Sequence, residues 1–368
     1  MKVVFITHGK DIFPQIRGKY LLSQGHSVFF IGVPPLVPEG ELFEKRIQYI
    51  EIPHQGYFPF YFNPQVGMKV RKITREIKPD IVHILGTYLG YLSFFVYSKK
   101  IVIENNGSDI LLTPKKYPMV KYYYFTIFQR SDGVVQDSEI SQKASYQCGA
   151  RKRKNRIIPL GIDSSIFNNS VEKGFFRKKY NITENTGIIV SPRSLKPLYN
   201  IKTIIKALAK LSVTRKDFKG VFAGYSPENQ IELEQLVGHL ELTDNVLFIG
   251  QVPQRDLAFA YSDSSVVISV PTSDSLPSSV LEAMACKAPV IISDIEWYKS
   301  LFKQGVDLET VPVNDSDKLA EVILNTLEQK NPLDYSAISN KVLEAFSIEN
   351  CGKRLEKFYY CLLGNLPD

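Results

Sequence analysis

Short runs of aliphatic and β-branched residues recur along this chain at helix-length intervals, and this rhythm limits the available folds more than any other feature of the sequence. Runs bounded by turn residues in this way are typical of strands buried in a parallel sheet, where each crossover is a helix. The series occurs twice, with Pro159 and Gly161 between the two halves. The sequence therefore predicts an α/β protein of two doubly wound, Rossmann-like domains that face a central cleft. The predicted strands are residues 3–7, 28–32, 81–85, 101–104 and 133–136, then 188–191, 220–223, 246–249, 266–270 and 290–293.

Length and composition agree with two globular domains. The 368 residues are 44% apolar and 23% charged, and a domain has about 150 residues. The sequence has no low-complexity tract, no Gly period and no uncharged apolar run of about 18 residues. These absences exclude a disordered chain, a collagen-like chain and a bundle of membrane-spanning helices.

The positive charge is concentrated in the first half. Lys and Arg number 45 against 38 Asp and Glu, a net charge of +7; residues 1–165 hold 23 basic and 13 acidic residues, so this part carries +10 and the rest −3. Such asymmetry indicates an anionic partner for the first half. A nucleic acid, an anionic lipid surface and a phosphorylated substrate all remain open on charge alone.

The N-terminus and the cysteines indicate a reducing compartment. Met1 leads directly into the first predicted strand, without the charged, apolar and small-residue regions of a signal peptide. The four cysteines (Cys148, Cys286, Cys351 and Cys361) form no C-x-x-C pair, so neither a zinc site nor a disulfide framework is indicated. We expect a cytoplasmic protein.

Two glycine-rich phosphate motifs are missing. Residues 7–13, after the first predicted strand, do not fit G-x-G-x-x-G, and no G-x-x-x-x-G-K-[ST] loop occurs. These absences weigh against a nicotinamide-dependent oxidoreductase and against an ATPase. The carboxyl ends of the strands are still where an open α/β sheet binds its ligand.

The most informative segment is the loop and helix that follow the fourth strand of the second half. Asp274 lies in the loop and Glu282 lies eight residues later, in the predicted helix. The unpaired N–H groups of a helix N-terminus suit an anion such as a diphosphate, and the two carboxylates could accept hydrogen bonds from sugar hydroxyls. The alternative is that Asp274 only makes a turn and that Glu282 is a solvated helix residue.

This segment resembles the E-x7-E region of retaining glycosyltransferase family 4, whose members have the GT-B fold. Residues 273–291 read SDSLPSSVLEAMACKAPVI, and the LEAMAC continuation is in register after the second acid. Residues 158–167 (IPLGIDSSIF) are similar to the P-x-G-[VI]-D-x-x-x-F motif between the family's domains. Looser similarities follow the family order along the chain: GHSV at 25–28, DIVH at 80–83, NGSD at 106–109, FAG at 222–224 and VLFIGQV at 246–252.

The sequence departs from the family pattern at four positions. Asp274 stands in place of a Glu, Asn106 in place of a His, Ser275 in place of a Gly and Leu160 in place of an Asn. The Lys that the family has five residues after its diphosphate-binding Arg is also out of register, because Leu198 occupies that position after Arg193. Lys196 and Lys202 could substitute, and Lys196 is preferred because it shares the loop with Arg193.

The resemblance implies a division of labour between two domains. The second domain, residues 161–349, would bind a nucleoside-diphosphate sugar. The first domain, residues 1–160 with a helix at 350–368 crossing back onto it, would bind the acceptor. The donor-side residues that follow from the resemblance are Glu282 on the ribose, Asp274 on the sugar, Arg193 and Lys196 on the diphosphate, and Leu276, Ser278, Ser279, Val280, Gly224 and Val252 around them.

On the acceptor side the resemblance implies His8, Gly9, Asn106 and Gly107, and His83 is also expected to point toward the cleft. Asp315 and Asp317 fit a metal-binding D-x-D pattern, but they directly precede a predicted helix, where Asp is the expected cap. We therefore expect no metal site and no cofactor, the nucleoside-diphosphate sugar being a substrate.

The aromatic and basic segments of the first half have two interpretations. Aromatic residues at 57–62, 91–97 and 117–128 lie among Lys and Arg residues, which suits an anionic membrane surface; alternatively, the aromatics pack the core and the cations are solvated. The basic run 151–156 is either a patch that binds lipid or nucleic acid or a solvated loop, and the loop is preferred. No nucleic-acid reader motif is present.

The resemblance, together with these observations, implies a metal-independent, retaining transferase that moves a hexosyl or N-acetylhexosaminyl group to a glycan or lipid-linked acceptor of the cell envelope. We expect it in the cytoplasm, and peripheral attachment to the inner face of the cell membrane stays open. A non-catalytic sugar-nucleotide-binding subunit of the same fold is the alternative. The donor base, the sugar and the acceptor stay open.

Overall fold

A computed structural model describes residues 1–9, 12–33, 46–52, 62–105, 107–302, 305–306, 308–330 and 333–366. It divides into two compact units: unit 1 comprises residues 1–161 and 348–368, and unit 2 comprises residues 162–347. Each unit is an α/β structure built on a parallel sheet, which confirms the predicted fold class. The predictions for Asn106 and for the aromatic residues 57–61 lie outside the described residues.

The strands, in chain order, are β1 (Lys2–His8), β2 (Ser27–Val33), β3 (Gln48–Glu51), β4 (Ile81–Leu85), β5 (Lys100–Glu104), β6 (Gly133–Gln136), β7 (Asn155–Ile157), β8 (Gly187–Ser191), β9 (Phe218–Phe222), β10 (Val246–Phe248), β11 (Val266–Ser269), β12 (Val290–Ser293) and β13 (Glu309–Val311).

The α-helices are α1 (Ile12–Ser23), α2 (Pro64–Ile77), α3 (Ser108–Leu111), α4 (Thr113–Lys116), α5 (Val120–Arg130), α6 (Glu139–Gln147), α7 (Phe175–Lys179), α8 (Ile201–Thr214), α9 (Pro227–His239), α10 (Gln254–Asp263), α11 (Ser278–Ala285), α12 (Tyr298–Phe302), α13 (Ser316–Leu327), α14 (Tyr335–Phe346) and α15 (Ile348–Leu362). Within the described ranges, no helix combines the length and the apolar character needed to cross a bilayer.

Unit 1 has a seven-stranded sheet in the order β3-β2-β1-β4-β5-β6-β7. Its central strand β4 is buried along its whole length, and its neighbours β1 and β5 are buried except at their ends, because helices cover both faces. Helix α15 belongs to this unit: Leu355, Phe358 and Tyr359 pack with Val3 and Phe5 of β1. The helix also lies close against α1, since a Cβ on Gly352 would be 2.2 Å from the ring of Tyr20.

Unit 2 has a six-stranded sheet in the order β10-β9-β8-β11-β12-β13. A 3-2-1-4-5-6 order of this kind reverses direction between its first and fourth strands, here β8 and β11, and the crevice outside their carboxyl ends is the usual ligand site of such a sheet. The core beneath is aliphatic, with Ile189, Ile204, Leu208 and Ile268 among its fully buried members.

Three short strands are absent from the sequence prediction: β3, β7 and β13, each at or next to a sheet edge. Strand β7 also corrects the interpretation of the basic run 151–156. Arg151 to Arg153 are exposed, as a solvated loop would be, but Asn155 is buried in the strand and the Arg156 guanidinium lies 5.6 Å from the ring centre of Phe358.

Candidate active site

The loops after β8 and β11 meet at the point where the unit 2 sheet reverses its strand order. Arg193 is in the first loop, and Asp274 is in the second, just before α11. Because β8 and β11 are neighbours in the sheet, these side chains come together although they are 81 positions apart in the chain. The topology therefore brings two of the predicted site residues together.

Arg193 is held by three groups. Its Nη2 donates to Asp274 Oδ2 at 2.7 Å and its Nη1 donates to Ser279 Oγ at 3.1 Å. The guanidinium carbon lies 4.3 Å from the ring centre of Tyr199, a cation–π contact. The sequence prediction does not include Tyr199. The feature that could have identified it is an aromatic residue six positions after Arg193, in the same loop. With 11% of its side chain exposed, Arg193 offers a fixed positive charge at the surface of the site.

Gly224 fixes the backbone of Arg193. A Cβ at this position would lie 1.9 Å from the Arg193 carbonyl oxygen and 2.6 Å from its carbonyl carbon. Only glycine permits so close an approach of two backbones. The loop after β9 thus supports the loop after β8, and Ser194 Oγ adds a hydrogen bond to the carbonyl of Tyr225 at 3.1 Å.

The N-terminus of α11 is open toward this cluster. Pro277 precedes the helix and no side chain caps it. The N–H groups of Val280 and Leu281 donate to the Pro277 carbonyl, whereas those of Ser278 and Ser279 have no partner in the described part of the chain. Two backbone donors and a helix dipole therefore stand beside Arg193. Val280, by contrast, is fully buried, so its side chain is placed for packing.

Glu282 is buried one turn into α11, with 9% of its surface exposed. The alternative interpretation, a solvated helix residue, is therefore wrong. Burial raises the pKa of Glu282 to about 7, although the charge of Arg193 opposes this rise. The Tyr261 hydroxyl, fully buried in the same region, has no hydrogen-bond partner among the described residues.

Among the described residues, none of the remaining donor-side predictions is hydrogen-bonded or ion-paired to Arg193. Lys196 is exposed at the start of a short 3-10 turn, Pro197–Tyr199. Lys202 Nζ is paired with Glu232 Oε1 at 2.5 Å on the exposed face of α8. Leu276 is half-buried in the loop before α11, and Val252 is half-buried after β10, the edge strand.

In unit 1, the sheet reverses its order between β1 and β4. His8 ends β1, and its ring stacks on Tyr88, after β4, with 4.9 Å between the ring centres. Gly9 and Gly107 both have positive φ angles, +51° and +88°, which glycine adopts without strain. The structure thus places His8 and Gly9 at the carboxyl edge of this sheet, and Gly107 just after β5.

His83 is not placed as the sequence predicts. It lies in the middle of β4, fully buried, and its Nδ1 is 2.6 Å from the Tyr359 hydroxyl. Its Nε2 is 3.1 Å from Glu104 Oε2, and Arg17 donates to the other oxygen of Glu104 at 2.7 Å. Burial lowers the pKa of His83, against the opposing effect of Glu104. The expectation that His83 faces a ligand cleft is wrong: it ties α15 to the sheet.

Asp315 caps α13, since its Oδ1 accepts from the N–H of Lys318 at 2.8 Å. This geometry confirms the capping interpretation of the D-x-D pattern. Asp317, two residues further along the chain, pairs with Lys210 at 2.5 Å.

Comparison with known proteins supplies the family. Residues 172–341 match the family model "Glycosyl transferases group 1", and residues 18–166 match "Glycosyltransferase Family 4". The alpha-monoglucosyldiacylglycerol synthase of Streptococcus pneumoniae is 26% identical over 94% of this chain and 83% of its own. The N-acetyl-alpha-D-glucosaminyl L-malate synthase of Bacillus anthracis is 24% identical over 94% of this chain and 92% of its own.

A solved structure agrees with this assignment at the level of the fold. The Anabaena HepE protein, crystallised in complex with UDP and glucose, superimposes over 100% of both chains with a TM-score of 0.79 and 18% identity. The two family models together cover most of the chain, and one falls mainly in each unit. The motifs, the two sheets and these matches agree: the chain is a glycosyltransferase of the GT-B fold that belongs with the family 4-like enzymes.

Proposed function

We propose that this glycosyltransferase takes its sugar from a nucleoside-diphosphate donor bound in unit 2 and transfers it with retention of configuration. The observation that carries the proposal is the cluster of Arg193, Ser279 and the open N-terminus of α11 at the point where the sheet order reverses. A diphosphate is rich in oxygen and requires such donors: one guanidinium and two backbone N–H groups that have no partner among the described residues.

The charge on this cluster suits the departure of a nucleotide. As the bond to the sugar breaks, negative charge grows on the diphosphate, and donors that are already in place stabilise it without reorganisation. Arg193 is in place because Tyr199 stacks against it and Gly224 permits its backbone position. The half-exposed Ser278 and Ser279 add their N–H groups from the side of the helix.

Asp274 has a role on both sides of the reaction in this proposal. In the unliganded chain its carboxylate neutralises Arg193 at 2.7 Å. When the diphosphate takes over the guanidinium, the carboxylate is released to accept hydrogen bonds from the hydroxyls of the sugar. Its Oδ1 already accepts from the N–H of Ser275, which limits the distance it can travel. Glu282 would accept from the ribose.

The names of the relatives support an α-linked product. Both names specify an alpha-linked sugar, and one specifies a diacylglycerol acceptor. UDP-glucose is itself an α-glycoside, and a UDP-glucose complex is described for the Anabaena structure. Transfer from such a donor to an α product is retention. We propose a hexosyl or N-acetylhexosaminyl donor, a lipid-linked or glycan acceptor, and positive charge from Arg193 and α11 in place of a metal.

A panel of UDP-, GDP- and ADP-sugars in a thermal-shift assay identifies the donor, because a ligand that binds only the folded chain raises its melting temperature. Arg193→Ala should abolish most of the shift and lower nucleotide release in the presence of a membrane extract by at least ~10²-fold. Arg215→Ala is the matched control, since Arg215 pairs with Asp217 elsewhere in unit 2. Equal turnover in the two variants would refute the assignment of the site.

A non-catalytic donor-binding subunit is the second candidate. Two observations favour it: Asp274 is one methylene shorter than Glu, and Lys196 is exposed outside the cluster. Such a subunit would show the thermal shift and its loss in Arg193→Ala, but it would release no nucleotide with any acceptor extract. The same experiment therefore separates the two candidates.

A further inference from the structure

Four large apolar side chains stand exposed together on the segment that contains α4 and α5. The exposed fractions are 84% for Met119, 74% for Tyr122, 53% for Tyr117 and 47% for Phe125. Three exposed lysines lie among them, and the lysine–tyrosine face is defined here as Lys115, Lys116, Tyr117, Met119, Lys121, Tyr122 and Phe125.

The exposure follows from the way α5 packs. Tyr124, Ile127 and Phe128 point into the core of unit 1, and the Tyr124 hydroxyl donates to the carbonyl of Asp109 at 2.9 Å. Tyr122 and Phe125, three residues apart, therefore share the opposite face of the helix. The interpretation that all aromatics of this segment pack the core is wrong for this face, while it holds for the inner one.

The face carries positive charge with no exposed negative charge beside it in the chain. Residues 110–131 contain Lys115, Lys116, Lys121 and Arg130 and no acid. The preceding acid, Asp109, is buried and accepts from the N–H groups of Thr87 and Ile110. Its charge is therefore turned inward, and the outward field of the segment is that of its lysines.

This chemistry selects a lipid surface over the other candidates. Tyrosine and phenylalanine beside lysine are the residues that occupy the interface of an anionic bilayer, where the rings enter the headgroup region and the cations meet phosphate. A second copy of the chain packed on this face would bring its lysines against the same lysines, because a two-fold contact pairs a surface with itself. A nucleic acid would leave the exposed Met119 without a function.

A short chain of contacts joins this face to the acceptor side of unit 1. Tyr123, next to Tyr122 in α5, donates through its hydroxyl to the carbonyl of Tyr88 at 3.0 Å and accepts from the N–H of Tyr91. The Tyr88 ring stacks on His8. Helix α5 thus holds, with its inner side, the turn that covers the carboxyl edge of the sheet.

We propose that the lysine–tyrosine face is a docking surface for an anionic lipid bilayer and that it brings the acceptor edge of unit 1 to that bilayer. The second clause rests on the proposed function, in which the acceptor is lipid-linked; the first does not. Docking seats Tyr122, Phe125 and Met119 among the headgroups and Lys115, Lys116 and Lys121 on the phosphates.

Flotation of the full chain with vesicles tests the docking. The wild type should float with vesicles of phosphatidylglycerol and phosphatidylcholine at low salt, and much less with phosphatidylcholine alone or at about 0.5 M salt, where charges are screened. Lys115→Gln/Lys116→Gln/Lys121→Gln should weaken binding on the order of a hundredfold, at roughly a factor of five for each lysine. The control removes three exposed charges from unit 2: Lys173→Gln/Lys178→Gln/Lys206→Gln.

A fluorescent reporter at position 122 tests the depth of contact. The sequence has one tryptophan, Trp297, which is buried in unit 2. In Tyr122→Trp, the added emission should shift to the blue with anionic vesicles and be quenched by brominated lipid, while Trp297 provides a constant background. The circular dichroism and melting temperature of each variant report whether it is folded.

Three results would overturn the proposal: flotation that is equal for both lipid mixtures, equal losses in the unit 1 and unit 2 lysine variants, or a blue shift of Tyr122→Trp that follows protein concentration without lipid, which would indicate self-association. Vesicle binding needs no donor. Floating wild-type protein that releases no nucleotide from any donor would refute the transferase proposal alone, whereas turnover without flotation would refute the docking alone.

Discussion

Replacing Glu282 with Gln should stabilise the unliganded chain above neutral pH and weaken its binding of donor. Glu282 is 9% exposed, and burial holds its pKa at about 7 against the ordinary 4.5. The folded chain therefore binds more protons than the unfolded chain between these two pH values. Its stability falls as the pH rises through this window, and the full cost is present above pH 7.

The size of this cost follows from the two pKa values. A difference of one pH unit corresponds to 1.36 kcal/mol, so the step from 4.5 to about 7 costs about 3 kcal/mol. Glutamine keeps the shape and cannot ionise. The free energy of unfolding of Glu282→Gln minus that of the wild type should therefore grow by about 3 kcal/mol between pH 4.5 and pH 8.

Urea unfolding followed by tryptophan fluorescence measures this difference, because the one tryptophan, Trp297, is buried in the same unit as Glu282. Any constant effect of the substitution cancels when the two proteins are compared across pH. The donor experiment runs in the opposite direction: wild-type affinity should fall about tenfold per pH unit below 7, as the carboxylate is protonated, and the variant should show no such slope. A stability difference that stays flat from pH 4.5 to 8 would refute the reasoning.

Three further predictions concern substitutions at Gly224, Arg17 and Glu104. Gly224→Ala should lower stability by about 2 kcal/mol and weaken donor binding more than tenfold, because the new Cβ would meet the Arg193 carbonyl. Gly238→Ala is its control, because a Cβ at Gly238 on α9 would have no atom within 4 Å, and it should stabilise the chain by about 0.5–1 kcal/mol. Equal effects of the two substitutions would contradict a specific role for the close backbone approach at Gly224. Burial alone would raise the pKa of Glu104, but Arg17 and His83 lower it to about 2. Arg17→Met should therefore destabilise unit 1 by roughly 3–5 kcal/mol. Arg17→Met/Glu104→Met should recover much of this loss in denaturant unfolding, since no unpaired buried charge remains; a double variant no more stable than the single one would contradict this.

The central strands of both sheets were predictable because they are buried on both faces and read as continuous aliphatic runs. Strands β3, β7 and β13 were not, since edge strands are short and carry polar residues: their sequences are QYIE, NRI and ETV. Continuous burial also explains the error at His83. Every residue of β4 is buried, so the strand has no alternation that could tell which way this ring points.

The candidate site was predictable as a list of residues but not as a geometry. The pattern around Asp274 and Glu282 located the helix, and the strand before Arg193 located the cation. The Arg193–Asp274 ion pair, the stacking on Tyr199 and the close approach of Gly224 all depend on loops brought together by the sheet. Likewise, the partner of His83 is Tyr359, 276 positions away, on a helix whose register the local sequence does not determine.

The interrupted layout of unit 1 has a consequence for the order in which the chain folds during synthesis. The first part of unit 1 ends at Gly161, and α15, which supplies Leu355, Phe358 and Tyr359 to its core, begins only at Ile348. All of unit 2 leaves the ribosome between them. Domains usually fold as they emerge, N-terminal first, but here the earlier-made half must wait for the later-made one with part of its apolar core uncovered. Unit 2 can complete its fold before unit 1 does, and a nascent chain arrested just before Ile348 would present that uncovered core to chaperones.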